Sequence, residues 1–173
     1  MPRRAPRRLA LLTAALMLAL LCVGGVVTSR DAGMVFSDWP LADGSVNPDG
    51  WLRDADKASE HGHRILGAAV GLLATALLLW TWRADPRRGV RALALAAWLA
   101  VGGQGLLGGL RVTETSDELA LLHGCAGQLV FCLFVALAYL TARGAPRETA
   151  GDTRALASAA ALSFLLIALQ VVL

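Results

Sequence analysis

The sequence contains few cysteines, and long stretches of it carry no charge. Its three cysteines, Cys22, Cys125 and Cys132, all lie in apolar segments, so no exposed loop offers a disulfide. Charged residues make up 17% of the 173-residue chain and occur in short blocks, whereas hydrophobic residues make up 56%. A soluble domain averages roughly 45–50% apolar residues, with its charges spread along the chain. The composition therefore excludes an ordinary soluble domain.

Five apolar segments approach the length of about 20 residues that a helix needs to cross a bilayer: residues 9–27, roughly 60–82, 92–110, 118–142 and 155–173. The first exceeds the apolar core of about 7–15 residues in a cleaved signal peptide, so we interpret it as a retained span. Lipid requires each segment to satisfy its own backbone hydrogen bonds. We therefore predict an all-α, polytopic membrane protein, with a four-helix transmembrane bundle and a fifth transmembrane helix that the chain's end cuts short.

The basic residues predict which ends of the segments face the cytoplasm. Eleven of the sixteen lie at the N-terminus, between segments two and three, or between segments four and five, whereas the opposite ends carry five together with ten of the thirteen acids. By the positive-inside rule, the N-terminus of this multi-pass protein is cytoplasmic in the cell (inner) membrane, with the lipid bilayer as its surroundings. The pI near 9.1 reflects this topology, so nucleic acid is not an expected partner.

Ionisable residues cluster at the outer start of the second segment. Glu60, His63, Gly67 and Gly71 follow i, i+3 and i+4 spacing, so they share one helical face. The two glycines below His63 leave bare backbone against which a flat macrocycle could lie, although a small-residue seam for helix packing explains them as well. His61 points about 100° or more away from that face, and we interpret it as interfacial.

A second histidine, His123, lies about as deep in the fourth segment as His63 lies in the second, and Gly127 repeats the step from histidine to glycine. Ionisable side chains inside a membrane are rare and usually mark a site. Two imidazoles at matched depth are typical of bis-histidine haem ligation, with His63 and His123 as axial ligands of the iron. Zinc would need three or four ligands, and only Glu60 and His61 are near enough to add to the pair. A site without metal is the remaining alternative.

Two further features keep more than one interpretation. Glu60 can orient a ligand, pair with Arg64, or accept a proton. The outer loop, residues 28–58, carries three large rings, Phe36, Trp39 and Trp51. These rings are either an aromatic anchor at the headgroup level or part of a lid over whatever the outer ends of the helices bind.

Together these residues resemble the first half of haem A synthase. The similarity runs from about residue 23 to residue 141 and includes the E-x-x-H-R motif at residues 60–64, His123, the D-W-P-L sequence at residues 38–41 and the Q-G-L-L-G-G sequence at residues 104–109. The resemblance implies a membrane oxidoreductase of two similar four-helix halves. It would convert the C8 methyl of haem O to the formyl group of haem A for terminal oxidases. The first half would take the substrate haem and the second a prosthetic haem b.

The same resemblance implies roles for individual residues. Glu60 would be the acidic residue needed for catalysis, His63 and His123 the axial ligands, and Arg64 a partner for a haem propionate. From the helical face that each shares with a histidine, and not from the resemblance, Gly67 and Gly127 are expected to lie against the cofactor. The resemblance implies that this cofactor is haem b, the substrate haem O, or both. Haem O synthase and an electron acceptor are the expected partners. A bis-histidine cytochrome b that only carries electrons, or a non-enzymatic cytochrome oxidase assembly subunit, are the alternatives.

The sequence departs from the family pattern in two ways. It lacks the cysteine pair that many members carry in the first outer loop, and it ends inside the fifth segment, before a second histidine pair. We interpret residues 1–142 as the four-helix haem-binding half and residues 143–173 as an inner loop and the start of a second half. We expect truncation here in preference to two halves that meet as a homo-oligomer.

Overall fold

The computed structural model describes residues 4–141, and within them the predicted all-α architecture is confirmed. Four long helices follow one another: α1 (Arg4–Ser29), α2 (Ala55–Ala84), α3 (Arg88–Thr113) and α4 (Asp117–Leu140). All four are long and apolar enough to cross a membrane. The predicted fifth span at residues 155–173, and with it the boundary at residue 143, lie outside the described residues.

Polar caps set where α2 and α4 begin. The Asp54 side chain accepts hydrogen bonds from the backbone N–H groups of Asp56 and Lys57, and the Ser116 hydroxyl accepts one from Leu119 N–H. An N-cap satisfies backbone donors that have no partner inside the helix. Because of its cap, α2 begins five residues before the predicted start at residue 60. The ionisable cluster therefore lies more than one turn inside the helix and not at its first residue.

The four helices form a closed ring in which α1 packs against α2 and α4, and α3 packs against the same two helices. Short connections join α2 to α3 and α3 to α4, so sequential helices are antiparallel neighbours. The packed core lies at the end of the bundle where α1 and α3 begin and α2 and α4 end. Its largest buried side chains are Leu77, Phe134 and Leu137. The opposite end, predicted to face outward, is where the site lies.

The segment between α1 and α2 folds back over that outer end. Within this segment the Phe36 side chain is fully buried. Asp38 organises a turn by accepting hydrogen bonds from the backbone N–H groups of Asp43 and Gly44, both at 2.8 Å. The hydrogen bond from Gly44 N–H is the largest cause that lowers the pKa of the Asp38 carboxyl below its usual 3.8; desolvation opposes it, and the hydrogen bond from Asp43 N–H lowers the pKa further. The loop is therefore an ordered cover, held by its own hydrogen bonds, over one end of the bundle.

Candidate functional site

A cavity of about 700 Å³ lies between the outer halves of the four helices. Its volume falls in the range of roughly 300–1,000 Å³ that is typical of ligand sites. Trp39 and Pro40 of the outer loop close it at one end. Most of its wall is apolar side chain or glycine, and the ionisable residues on it are Glu60, His63, Arg64, Arg111 and His123.

The two predicted ligands, His63 on α2 and His123 on α4, face each other across this cavity. Their ring centroids are 6.4 Å apart, although α2 and α4 are opposite helices of the ring. The Nδ1 atom of each ring is buried without a hydrogen-bond partner, whereas neither Nε2 atom belongs to this buried, unpaired set. The fold therefore brings together two imidazoles that the sequence separates by sixty residues.

The residues present fit a haem. Metal–nitrogen distances to histidine are about 2.0–2.1 Å, so rings whose centroids lie 6.4 Å apart could hold one metal ion between them. Within residues 4–141, no group of three or more His, Cys, Asp or Glu side chains is placed to hold a metal. The facing pair of histidines is therefore the donor set that the described residues offer at the cavity.

Glycines on the neighbouring helices make room for both rings. A Cβ atom at Gly24 of α1 would lie 3.1 Å from the His63 ring, and one at Gly108 of α3 would lie 3.0 Å from the His123 ring. Sequence reasoning missed both glycines as site residues, because nothing local to them indicates which ring they face. The G-G pairs at residues 24–25 and 108–109 were the available signal.

The two glycines predicted to lie against the cofactor differ in their surroundings. Gly67 lines the cavity, and a Cβ there would meet no atom within 4 Å. The same is true of a Cβ at Gly71. Close helix packing therefore does not require glycine at either position. Gly127 also lines the cavity, but a Cβ there would lie 3.2 Å from Leu21 of α1. Packing against Leu21 therefore accounts for glycine at this position, and its contact with a cofactor stays a prediction.

Glu60 lines the cavity with a side chain that is only 3% exposed, and both of its oxygens accept hydrogen bonds. Oε1 accepts from the Arg64 guanidinium, whose Nε lies 3.1 Å away, and Oε2 accepts from Phe36 N–H at 3.1 Å. Arg64 Nη1 in turn donates to the carbonyl oxygens of Asp38 at 2.9 Å and Leu41 at 2.7 Å. The Glu60–Arg64 pair therefore joins the outer loop to α2, because the Arg64 N–H groups donate to Glu60 and to carbonyl oxygens of the loop.

His61 lies outside the cavity, and its interfacial interpretation was wrong. The side chain is buried, both ring nitrogens lack hydrogen-bond partners, and it is not among the cavity residues. Trp51 covers it edge-on at 4.7 Å between centroids, and Phe36 does so at 6.0 Å. The early start of α2 and the folded loop explain the burial, since the loop's rings lie over this face of the helix.

Two polar residues of α3 hold the outer end together, and one of them, Gln104, is a residue that the sequence predicts to form a hydrogen bond across the bundle. Gln104 Nε2 donates to the carbonyl oxygen of His123 at 3.2 Å, which joins α3 to α4 beside the site. Arg111 Nη2 donates to the carbonyl oxygen of Gly33 at 2.9 Å, which joins α3 to the loop. The Trp39 indole occupies the space where a Cβ of Gly109 would lie. The loop is thus seated on α3 and covers the cavity, as the lid interpretation predicts.

Comparison with known proteins places this architecture in a family context. A family model described as cytochrome oxidase assembly protein, COX15-CtaA, matches residues 53–173. The chain is 35% identical over 144 residues to a heme A synthase of Symbiobacterium thermophilum, covering 82% of this chain and 45% of that protein. It is 33% identical over 154 residues to a heme A synthase of Methylobacterium nodulans, covering 80% of this chain and 41% of that protein.

A third similarity reaches a protein with a different name. The chain is 31% identical over 116 residues to a protoheme IX farnesyltransferase of Haloarcula marismortui, covering 67% of this chain and 24% of that protein. The chain therefore spans less than half the length of each of these relatives. No solved structure matches it.

Proposed function

Since the chain belongs to the COX15-CtaA family of cytochrome oxidase assembly proteins, we propose that it is a haem A synthase-type oxidoreductase that acts on haem O. The substrate haem would lie between His63 and His123, and its C8 methyl would be oxidised to the formyl of haem A. The observation that carries the proposal is the spacing of 6.4 Å between two imidazoles on opposite walls of one cavity. The relatives named heme A synthase support the same reaction.

Each residue of the site has a task in this proposal. A bound haem supplies redox chemistry at its iron, while the protein supplies position and electrostatics. His63 and His123 hold the macrocycle, and the loop excludes water from the cavity. Oxidation of a methyl to a formyl group releases protons and needs an oxygen source and an electron acceptor. Glu60 is the acidic side chain on the cavity wall, so we assign to it the uptake of a proton from the substrate.

The proposal also includes an orientation and partners. We place the N-terminus in the cytoplasm and the haem site toward the outer face of the cell membrane, on the distribution of basic residues. Haem O synthase would supply the substrate, and an electron acceptor would take the electrons. A prosthetic haem b would need a second histidine pair, which a second four-helix half or a second copy of the chain would supply.

The ligand pair is tested by absorption spectroscopy of the purified protein. We expect a six-coordinate, bis-histidine haem spectrum that is lost in both His63→Ala and His123→Ala, because each variant removes one axial nitrogen. His61→Ala is the matched control, since this histidine is buried outside the cavity. If either ligand variant keeps the full spectrum, the assigned pair is wrong.

The reaction is tested by extraction and chromatography of pigments from cells that make haem O and express the protein. We expect haem A with the wild type and only haem O with Glu60→Gln, whose purified protein still shows bound haem. Arg64→Gln is the control, because it breaks the same ion pair and loosens the loop but leaves the carboxylate in place. Equal loss of haem A in both variants would reduce Glu60 to a structural role. Haem b in the protein without any haem A in the cells would instead identify an electron-carrying cytochrome.

A further inference from the structure

Arg111, near the outer end of α3, is a cationic side chain on the cavity wall with spare hydrogen-bonding capacity. It is half-buried, lines the cavity, and makes one side-chain hydrogen bond, to the carbonyl oxygen of Gly33. Among residues 4–141 it forms no ion pair with a carboxylate. A guanidinium carries five N–H donors, so most of its donors remain available to a ligand.

The second arginine on the wall, Arg64, differs in this respect. Its Nε and Nη2 atoms donate to Glu60, and its remaining donors bind the carbonyl oxygens of the loop. Arg64 therefore acts as a clamp between the loop and α2. Of the two cationic groups at the cavity, Arg111 is the one that a ligand can engage without breaking the cover.

The loop leaves space for the Arg111 guanidinium. A Cβ at Gly33 would lie 2.6 Å from Nη2 of Arg111 and 3.2 Å from its Cζ, so any larger residue at position 33 would displace the charged group. The backbone of Gly33 does not have a positive φ, and the need for glycine is therefore one of space. The fold thus fixes the position of the Arg111 guanidinium against Gly33, whereas the side chain of a freely exposed arginine would move.

The charge and depth of Arg111 indicate what it binds. A cation that lies half-buried on a mostly apolar wall usually has a partner, and guanidinium groups favour carboxylates because they bind them through two parallel hydrogen bonds. Arg111 lies three residues outward from Gly108, on the same side of α3, which is a rise of about 4.5 Å. Gly108 is the residue on which the His123 ring rests. A ligand held between the histidines would therefore reach Arg111 with its outer edge.

We propose that Arg111 binds a propionate carboxylate of the haem and thereby positions the macrocycle in the cavity. This inference rests on the proposed haem site and adds the residue that orients the ligand within it. Because haem carries its propionates on one edge, a fixed carboxylate at the outer end would turn the opposite edge toward the packed core. Arg111 would then decide which part of the ring faces Glu60.

The test compares two ligands and four proteins. Ferric haem b and its dimethyl ester, in which both carboxylates are blocked, are titrated into the purified wild type and its Arg111→Gln, Arg111→Lys and Arg53→Gln variants, with binding followed by the Soret absorbance. Arg53 is an exposed arginine of the outer loop that does not line the cavity. We expect Arg111→Gln to bind haem b roughly ten- to a hundred-fold more weakly than the wild type, as expected for loss of a charge-assisted hydrogen bond.

The dimethyl ester separates the possible causes. We expect wild type and Arg111→Gln to bind the ester with the same affinity, Arg53→Gln to behave as wild type with both ligands, and Arg111→Lys to recover part of the haem b affinity. An Arg111→Gln protein that binds both ligands like the wild type would overturn the inference and leave the haem site intact. Equal weakening with both ligands would also overturn it, since it would indicate a structural effect. A wild type that binds neither ligand would overturn the haem site itself.

Discussion

The imidazoles of His63 and His123 rest on glycines of the neighbouring helices, Gly24 and Gly108. Each ring therefore stands against bare backbone, which limits its movement away from the cavity. A methyl group at Gly108 would lie 3.0 Å from Cε1 of His123, closer than van der Waals contact between carbons at about 3.5–4.0 Å. The ring would have to shift toward the cavity or rotate.

Gly108→Ala should consequently weaken axial ligation without weakening the helix. Alanine in place of a helical glycine stabilises a helix by roughly 0.5–1 kcal/mol, so the thermal stability of the ligand-free protein should stay at or near that of the wild type. The haem spectrum should lose part of its six-coordinate character, and haem affinity should fall several-fold. Gly103→Ala on the same helix is the control, because this glycine is exposed and its Cβ would meet nothing within 4 Å. Identical spectra for the two variants would contradict this role of Gly108.

These residues also mark how far the sequence leads toward the site. His63 and His123 were predictable, because two histidines at equal depth in apolar segments are conspicuous by themselves. Gly24 and Gly108 were not, because the role of a glycine depends on which ring of another helix stands opposite. The burial of His61 was missed for the same reason, since its cover comes from Phe36 in the loop. Local pattern identified the two histidines that face each other across the cavity, whereas the glycines behind them follow only from the packing of the four helices.

The conformation of the outer loop is the part of the fold that the sequence predicts least, because it depends on contacts between the loop and the helices. Its aromatic rings allowed either an interfacial anchor or a lid. The structure seats Trp39 on Gly109, buries Phe36, and fixes the backbone through Arg64 and Arg111. These contacts join the loop to α3 at Gly109 and Arg111 and to α2 at the Glu60–Arg64 pair. The start of α2 was also predicted too late, because the Asp54 side chain caps a helix that begins five residues before the apolar segment.

A substitution at Gly109 should lift this cover selectively. Gly109→Ala places a methyl group in the space of the Trp39 indole, and the loop has to move because the helix backbone cannot. We expect trypsin to cleave the loop at Arg53 several-fold faster in this variant than in the wild type, with haem dissociating faster as well. Gly103→Ala again serves as the control, and cleavage at equal rates in both variants would mean that Trp39 does not hold the loop.

The bundle as a whole divides into a packed end and a hollow end. Large side chains such as Phe134 and Leu137 fill the end where α4 finishes, whereas glycines and the two histidines surround the cavity at the other end. The closely packed side chains that stabilise the bundle thus lie in one half of each helix, and the cavity of about 700 Å³ lies in the other half.

This division connects the site to one side of the membrane, so its orientation can be measured directly. The basic residues predict that the end with the cavity faces outward. Val46 in the outer loop is 79% exposed, and Pro86 between α2 and α3 is exposed at the opposite end of the bundle. With Cys22, Cys125 and Cys132 replaced by alanine, Val46→Cys should react with a membrane-impermeant maleimide in intact spheroplasts. Pro86→Cys should react only after lysis. The reverse pattern would put the cavity on the cytoplasmic side, where electrons and substrate would have to arrive by the opposite route.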